Sequence, residues 1–158
     1  MPRILFVCLG NICRSPSAQV VFEALLRIRN LDTDVVVDSA GTSDYHIGEP
    51  PCAPMQEAAR RRGYEMAHLR ARQIEPGDFA RFDYIFAMDR ANLADLLWMA
   101  PLEHRSKVRL FLEHAPELGE DVPDPYYGEG GGPDQVLDII EEGAMALLTH
   151  LLQTELCP

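Results

Sequence analysis

The stretch Met-Pro-Arg-Ile-Leu-Phe-Val-Cys-Leu-Gly-Asn-Ile-Cys-Arg-Ser-Pro, residues 1–16, decides the fold because an apolar run gives way in it to a polar turn. Residues 4–7 are apolar without alternation, which is typical of a strand buried on both faces. Gly10 and Asn11 tolerate turn conformations, and Pro16 suits the first turn of a helix. The stretch predicts a strand, a short loop and the N-terminus of a helix.

The loop between this strand and helix has the composition of an anion site. It gathers backbone N–H groups at the positive end of a helix dipole, and such donors favour the thiolate form of Cys8. Arg14 adds a planar guanidinium that can bind two oxygens of a tetrahedral dianion. These residue types predict attack by sulfur on phosphorus. A buried structural cysteine beside a surface arginine is the alternative interpretation.

Cys8, five intervening residues, Arg14 and Ser15 resemble the phosphate loop of protein tyrosine phosphatases. The full run 7–16, Val-Cys-Leu-Gly-Asn-Ile-Cys-Arg-Ser-Pro, is similar to the low-molecular-weight branch of that family, and its position at the N-terminus supports this branch. The resemblance implies that the phosphate is bound by Arg14 and by the loop residues Leu9, Gly10, Asn11, Ile12, Cys13 and Ser15.

Composition limits the other function classes. The chain has 158 residues, 47% of them hydrophobic and 25% charged, which suits one soluble domain spanning 1–158. Its net charge of −11 argues against nucleic acid as a partner. No apolar run reaches the length of a membrane span, and the N-terminal run is broken too early for a secretory signal. We expect a cytoplasmic enzyme.

The four cysteines, at positions 8, 13, 52 and 157, predict no structural disulfide framework in that compartment. No second Cys or His pair with zinc-finger spacing accompanies Cys8 and Cys13, so we expect no metal. These two thiols, on opposite sides of one loop, can form a reversible disulfide that protects Cys8 from over-oxidation. Simple packing of Cys13 is an equal alternative.

The rest of the chain alternates strand and helix patterns. Further strands are predicted over 34–39, 82–88 and 107–112, and helices over 16–29, 54–62, 89–98 and 133–152. This alternation predicts an α/β fold with a four-stranded parallel sheet flanked by helices. The family resemblance implies the strand order 2-1-3-4. Ser39 then ends its strand at the same sheet edge as Cys8.

Tyr45 lies in a long loop, residues 41–53, with no clear periodicity. The family has an aromatic residue at the matching point, where it forms one wall of the substrate slot. Tyr45 is therefore the candidate wall residue, although a tyrosine that packs against its own loop is the alternative. Asp89 follows the third strand and is predicted to cap the next helix, and the resemblance implies that it also supports the site.

The stretch Asp-Val-Pro-Asp-Pro-Tyr-Tyr-Gly, residues 121–128, supplies the group that sulfur attack on an ester requires. An aryloxide leaving group needs a proton, and a carboxylic acid can give that proton and then serve as base for water. The stretch resembles the acid loop of the same family. The resemblance implies that Asp124 is the general acid and base and that Tyr126 and Tyr127 line the substrate slot.

The sequence departs from the family at one supporting position. In some members a histidine three residues before the arginine of an Ala-Arg-Gln segment steadies the loop asparagine, and here that position is Leu69. We do not transfer that role to the neighbouring His68. Asn11 and Ser39 are expected to hold the loop in shape.

Together these features predict a protein tyrosine phosphatase that works through a phosphocysteine on Cys8 and needs no cofactor. We expect a phosphotyrosine protein or a small aryl phosphate as substrate and inorganic phosphate as product and inhibitor. The sequence does not separate phosphotyrosine from arginine phosphate or small esters, and it leaves the oligomeric state open.

Two other function classes remain. A thiol-dependent arsenate reductase shares the fold and the loop, but the region 71–116 lacks the two further cysteines that such enzymes use. A non-catalytic phosphotyrosine-binding module is the second alternative, and the presence of both Cys8 and Asp124 argues against it.

Overall fold

The computed structural model describes residues 1–125 and 131–156. Over this part of the chain, four parallel strands form one sheet in the order β2-β1-β3-β4, which confirms the predicted order. The strands are β1 (Arg3–Cys8), β2 (Val36–Gly41), β3 (Tyr84–Ala87) and β4 (Val108–Leu110).

Helices connect the strands and flank the sheet. The α-helices are α1 (Arg14–Ile28), α2 (Ala53–Arg61), α3 (Asp78–Arg81), α4 (Arg90–Met99) and α5 (Pro133–Thr154). Short 3-10 helices cover Leu102–Lys107, Phe111–His114 and Pro116–Leu118. Within the described ranges, no helix combines the length and the apolar character needed to cross a membrane.

Strand β1 is central, and its alternate side chains enter two separate cores. Ile4 and Phe6 belong to the larger core, which includes buried residues of α1 and α5. Leu5 and Val7 belong to the second core, on the side of α4. All four side chains are fully buried, which explains why the run 4–7 is apolar without alternation.

The parallel register places the predicted site residues that follow these strands at one edge of the sheet. Cys8 pairs with Gly41 and Val7 with Ala87, so the carboxyl ends of β1, β2 and β3 meet there. Ligands of open α/β sheets bind at this edge, outside the strand ends.

Strand β4 is shorter than the predicted segment 107–112. Phe111 and Leu112 leave the sheet in a 3-10 helix, and both are buried in the larger core. The ring of Phe111 packs edge-on against Phe6, with 5.6 Å between ring centroids. Burial in that core, rather than sheet pairing, accounts for the apolar character of these two residues.

Candidate active site

The phosphate loop, residues 8–15, joins β1 to α1. Asn11 adopts a positive φ of 58°, a conformation that Asn tolerates better than most residues. Strand β2 passes so close to the loop that a Cβ atom on Gly41 would lie 2.7 Å from the carbonyl oxygen of Leu9. The tight turn therefore suits asparagine at position 11 and leaves no room for a side chain at Gly41 on the neighbouring strand.

Hydrogen bonds from outside the loop set the direction of its peptide groups. The carbonyl oxygens of Cys8 and Leu9 accept bonds from the N–H groups of Thr42 and Ser43, and the Ile12 carbonyl accepts one from Cys52. The peptide bonds are trans, so the N–H groups that follow these carbonyls point the opposite way. Those N–H groups belong to Leu9, Gly10 and Cys13, which all line one pocket.

The Cys8 sulfur is buried and lies among polar groups. The backbone N–H of Asn11 donates to Sγ at 3.2 Å, and Ser15 Oγ lies 3.1 Å from Sγ. Ser15 Oγ also lies 3.3 Å from the Ala40 carbonyl, to which it can donate instead. Cys8 therefore has donors that suit a charged sulfur.

Asn11 links the loop to its surroundings through a buried network. Its side-chain N–H group donates to Ser15 Oγ at 2.8 Å and to Ser39 Oγ at 3.0 Å. Its Oδ1 accepts from the backbone N–H of Arg72 at 3.0 Å. Ser39 Oγ in turn donates to Gln19 Oε1 at 2.7 Å. The loop asparagine is thus held by a backbone amide, and its hydrogen bonds to Ser15, Ser39 and Arg72 do not involve His68.

Arg14 connects the loop to the end of β3 and to residues 121–125. Its side chain is only 3% exposed, and Nη1 donates to Asp89 Oδ2 at 2.6 Å and to the Val122 carbonyl at 3.0 Å. Nη2 donates to Asp124 Oδ2 at 3.3 Å. Burial alone would lower the pKa of Arg14, but the charges of Cys8, Asp89 and Asp124 raise it above its usual value. The guanidinium is therefore fixed in place and permanently charged.

The two carboxylate oxygens of Asp89 have different partners. Its Oδ1 accepts from the backbone N–H of Asn92 at 2.7 Å and caps α4, while Oδ2 binds Arg14. The sequence prediction of a cap is confirmed, and the same carboxylate lies against the phosphate-loop arginine.

Most of the predicted residues line one small pocket of about 20 Å³: Cys8, Leu9, Gly10, Ile12, Cys13, Arg14, Tyr45 and Asp124. Asn11, Ser15 and Asp89 hydrogen-bond to residues of this lining, and Ser39 bonds to Asn11 behind them. Tyr45 is 68% exposed, at the rim. Tyr126 and Tyr127 lie outside the described residues.

The structure corrects the expectation about disulfides. Cys13 forms a disulfide with Cys52, the residue before α2, and their Cα atoms are 5.4 Å apart. Neither interpretation of Cys13, pairing with Cys8 or packing alone, included this partner. The hydrogen bond from Cys52 N–H to the Ile12 carbonyl brings the two segments together. Among the described cysteines, Cys8 is the one outside a disulfide.

Three contributors to the site were not predicted. Gln19 carries no motif, but its place one turn after the loop on α1 is a weak signal. The backbone of Arg72 acts through an N–H group, which no residue type reveals. His46 lines the pocket, and its Nδ1 lies 2.7 Å from Glu49 Oε2. Within the described ranges, no cluster of three or more His, Cys, Asp or Glu side chains suits a metal ion.

Comparisons with known proteins agree on one family. The sequence profile described as "Low molecular weight phosphotyrosine protein phosphatase" matches residues 3–156. A putative low molecular weight protein-tyrosine-phosphatase of Synechocystis is 44% identical over 151 residues, which cover 94% of this chain and 96% of the relative.

Solved structures with this fold include YfkJ from Bacillus subtilis, with a TM-score of 0.93 and 39% identity over 98% of this chain and 97% of that one. They also include the drosophila arginine phosphatase DARP, with a TM-score of 0.85 and 37% identity over 93% of this chain and 96% of that one. The chain belongs to the low molecular weight phosphotyrosine protein phosphatase family.

Proposed function

We propose that this phosphatase hydrolyses phosphotyrosine and other aryl phosphates in two steps through a phosphocysteine on Cys8. One observation carries the proposal: a buried cysteine sulfur, loop N–H groups, an arginine and a carboxyl group surround one pocket. The nucleophile, the oxyanion donors and a proton donor are thus within reach of one phosphoryl group.

In the first step, Cys8 Sγ attacks phosphorus in line with the ester oxygen. The S–P bond forms as the P–O bond to the tyrosyl ring breaks, and Asp124 gives its proton to the departing oxygen. Loop N–H groups and the Arg14 guanidinium bind the equatorial oxygens, where negative charge is spread in the transition state.

In the second step, the Asp124 carboxylate takes a proton from a water molecule as that water attacks phosphorus. The new P–O bond forms, the S–P bond breaks, and the electron pair returns to Cys8 Sγ. Ser15 Oγ, 3.1 Å from that sulfur, can donate a hydrogen bond to the departing thiolate. The products are inorganic phosphate and the enzyme in its starting state.

The substrate proposal rests on Tyr45. Its exposed ring at the rim of the pocket can stack against the ring of a phosphotyrosine. A second candidate is arginine phosphate, because a relative that is 37% identical is described as an arginine phosphatase. A guanidinium plane can also stack on a tyrosine ring, so the two substrates must be compared directly.

We further propose that residues 1–158 form one catalytic domain and that it acts in the cytoplasm. The family match over residues 3–156 supports the first part. The second part stays a prediction.

The proposal is tested by phosphate release from phosphotyrosine, p-nitrophenyl phosphate and phosphoarginine, with a metal chelator present, for the native chain and for Cys8→Ser. We expect chelator-insensitive turnover by the native chain and none by Cys8→Ser, which should still bind inorganic phosphate. Turnover that needs a metal, or that persists in Cys8→Ser, would contradict the mechanism.

A further inference from the structure

A second cavity, of about 520 Å³, opens beside the catalytic pocket, and Ile12 and His46 line both. Asp124 lines the pocket and the next residue, Pro125, lines the second cavity. We call this cavity the proline groove; its lining consists of Ile12, His46, residues 49–54, Gln56 and Pro125. Its volume lies within the range of about 300–1,000 Å³ that is usual for ligand sites.

The chemistry of the groove suits an apolar group. Four of its lining residues, Pro50, Pro51, Pro54 and Pro125, have no backbone N–H to donate. The polar side chains of the lining bond to the groove itself: His46 Nδ1 lies 2.7 Å from Glu49 Oε2, and Gln56 Nε2 donates to the Pro51 carbonyl at 2.7 Å. An occupant is therefore recognised by apolar contact, and Glu49 disfavours an acidic one.

The groove is also rigid and tied to the phosphate loop. Proline fixes φ at each of its positions, and the Cys13–Cys52 disulfide joins a residue of the pocket to one of the groove. Cys52 N–H donates to the Ile12 carbonyl at 2.7 Å. A preformed groove loses little conformational freedom when a ligand binds, so modest apolar contact can yield measurable affinity.

We propose that the proline groove binds an apolar side chain next to the phosphotyrosine of a polypeptide substrate. The occupant is inferred from continuity: a phosphotyrosine in the pocket leaves its neighbouring residues at a rim that Ile12 and His46 share with the groove. Small esters end at the pocket and do not reach it. This inference rests on the proposed function and adds a preference for polypeptides with leucine-like residues.

The test uses phosphotyrosine peptides in a serine-glycine background. One leucine, aspartate or lysine is moved through the two positions on each side of the phosphotyrosine, and kcat/KM is measured with the native chain. At one position, we expect the leucine peptide to exceed the aspartate peptide by about fivefold or more, mainly through KM, because part of the leucine side chain is buried.

Ala53→Asp places a charge in the groove at little risk to the fold. Ala53 is exposed at the start of α2, whose first turn has no acidic residue, and a carboxylate there is favoured by the helix dipole. We expect the leucine preference to disappear and the lysine peptide to gain at the same position, with p-nitrophenyl phosphate turnover unchanged. Ala94→Asp, on an exposed position of α4, is the matched control and should keep the leucine preference.

The outcomes separate the two proposals. If the native chain hydrolyses neither p-nitrophenyl phosphate nor any peptide, the proposed function fails and the groove assignment fails with it. If it hydrolyses them without a leucine preference at any position, the groove assignment alone is overturned. If Ala53→Asp keeps the leucine preference of the native chain, the groove assignment is overturned as well. If that variant folds poorly, the peptide series with the native chain tests the groove assignment by itself.

Discussion

The phosphate loop and the acid segment, residues 121–125, face the same pocket but are held in different ways. Groups from Ser39, Cys52 and Arg72 bond to the loop behind the pocket. The acid segment is joined to the end of β3 by the bond from Val122 N–H to the Met88 carbonyl at 2.8 Å. An exposed ion pair between Asp121 and Arg90 joins it to α4. Asp124 itself contacts Arg14 at 3.3 Å.

The difference in how the two segments are held matches their proposed tasks, which are phosphate binding with nucleophilic attack for the loop and proton transfer for the acid segment. The sulfur and the phosphate donors must keep a narrow geometry relative to phosphorus, and small displacements there are costly. A proton donor needs only to reach the leaving oxygen, which varies with the substrate. We infer that the loop is rigid before substrate binds, whereas Asp124 within the acid segment is positioned by its contact with Arg14.

The largest effect is expected from Arg14→Lys, which removes the connection between the two regions. A lysine cannot bond at once to Asp89, the Val122 carbonyl and two phosphate oxygens. We expect kcat for p-nitrophenyl phosphate to fall about a thousandfold. Arg90→Lys, at an exposed position beside the acid segment, is the control and should keep kcat. A loss of less than tenfold in Arg14→Lys would show that the fork geometry is dispensable.

Asp124→Ala removes the acid and leaves the loop intact. We expect kcat for phenyl phosphate to fall about a hundredfold, since that leaving group needs a proton, and kcat for p-nitrophenyl phosphate to fall less. Asp121→Ala, in the same segment, should affect both esters slightly and equally. Equal large losses for the two esters in Asp124→Ala would refute the acid role.

Ser39→Ala removes hydrogen bonds that support the phosphate loop on the side away from the pocket. The change takes an acceptor from the buried Asn11 amide and a donor from Gln19. We expect the free energy of unfolding to fall by about 1–2 kcal/mol and kcat to fall about fivefold. Denaturant unfolding and steady-state kinetics measure the two effects. Thr149→Ala, which removes an exposed hydroxyl on α5, should change neither; an unchanged kcat in Ser39→Ala would mean that the network does not position the loop.

The smallest effect concerns the ion pair of the acid segment. The hydrogen bond from Arg90 lowers the pKa of Asp121 below its usual value near 3.8, although partial burial opposes this. The pair therefore contributes stability that is present above that value and is lost as pH falls through the lower, folded pKa. Arg90→Ala should reduce the free energy of unfolding slightly at pH 6 and not at pH 2. If the loss of unfolding free energy in Arg90→Ala grew as the pH fell, the direction of the Asp121 pKa shift would be contradicted.

Much of the fold was predictable because its signals are local. The unbroken apolar run 4–7, the turn residues after it and the alternation of strand and helix patterns predicted a parallel sheet. The order 2-1-3-4, which the structure confirms, was implied by the family resemblance and not by these local signals. The end of β4 was not predictable. Apolar residues such as Phe111 suit a buried strand and a buried 3-10 helix equally, and tertiary packing against Phe6 decides between them.

The candidate site likewise contains residues that the sequence predicted and contacts that it did not. Cys8 and Arg14 lie within one short motif, and Asp124 lies in a second, so residue types and spacing pointed to them; their roles stay predictions. The partner of Cys13 lies 39 residues away, and the residues that bond to Asn11 come from β2 and from Arg72. Such pairings depend on which segments the fold brings together, which spacing along the chain does not reveal.

The central claim is tested most directly by trapping the phosphorylated enzyme. The native chain, Asp124→Ala and Cys8→Ser would be mixed with p-nitrophenyl phosphate, quenched within milliseconds, and analysed by mass spectrometry of the peptide that contains the phosphate loop. We predict one phosphoryl group on Cys8, most abundant in Asp124→Ala because water then lacks its base, and none in Cys8→Ser. A phosphoryl group on another residue, or turnover with no phosphorylated enzyme in any sample, would contradict the account.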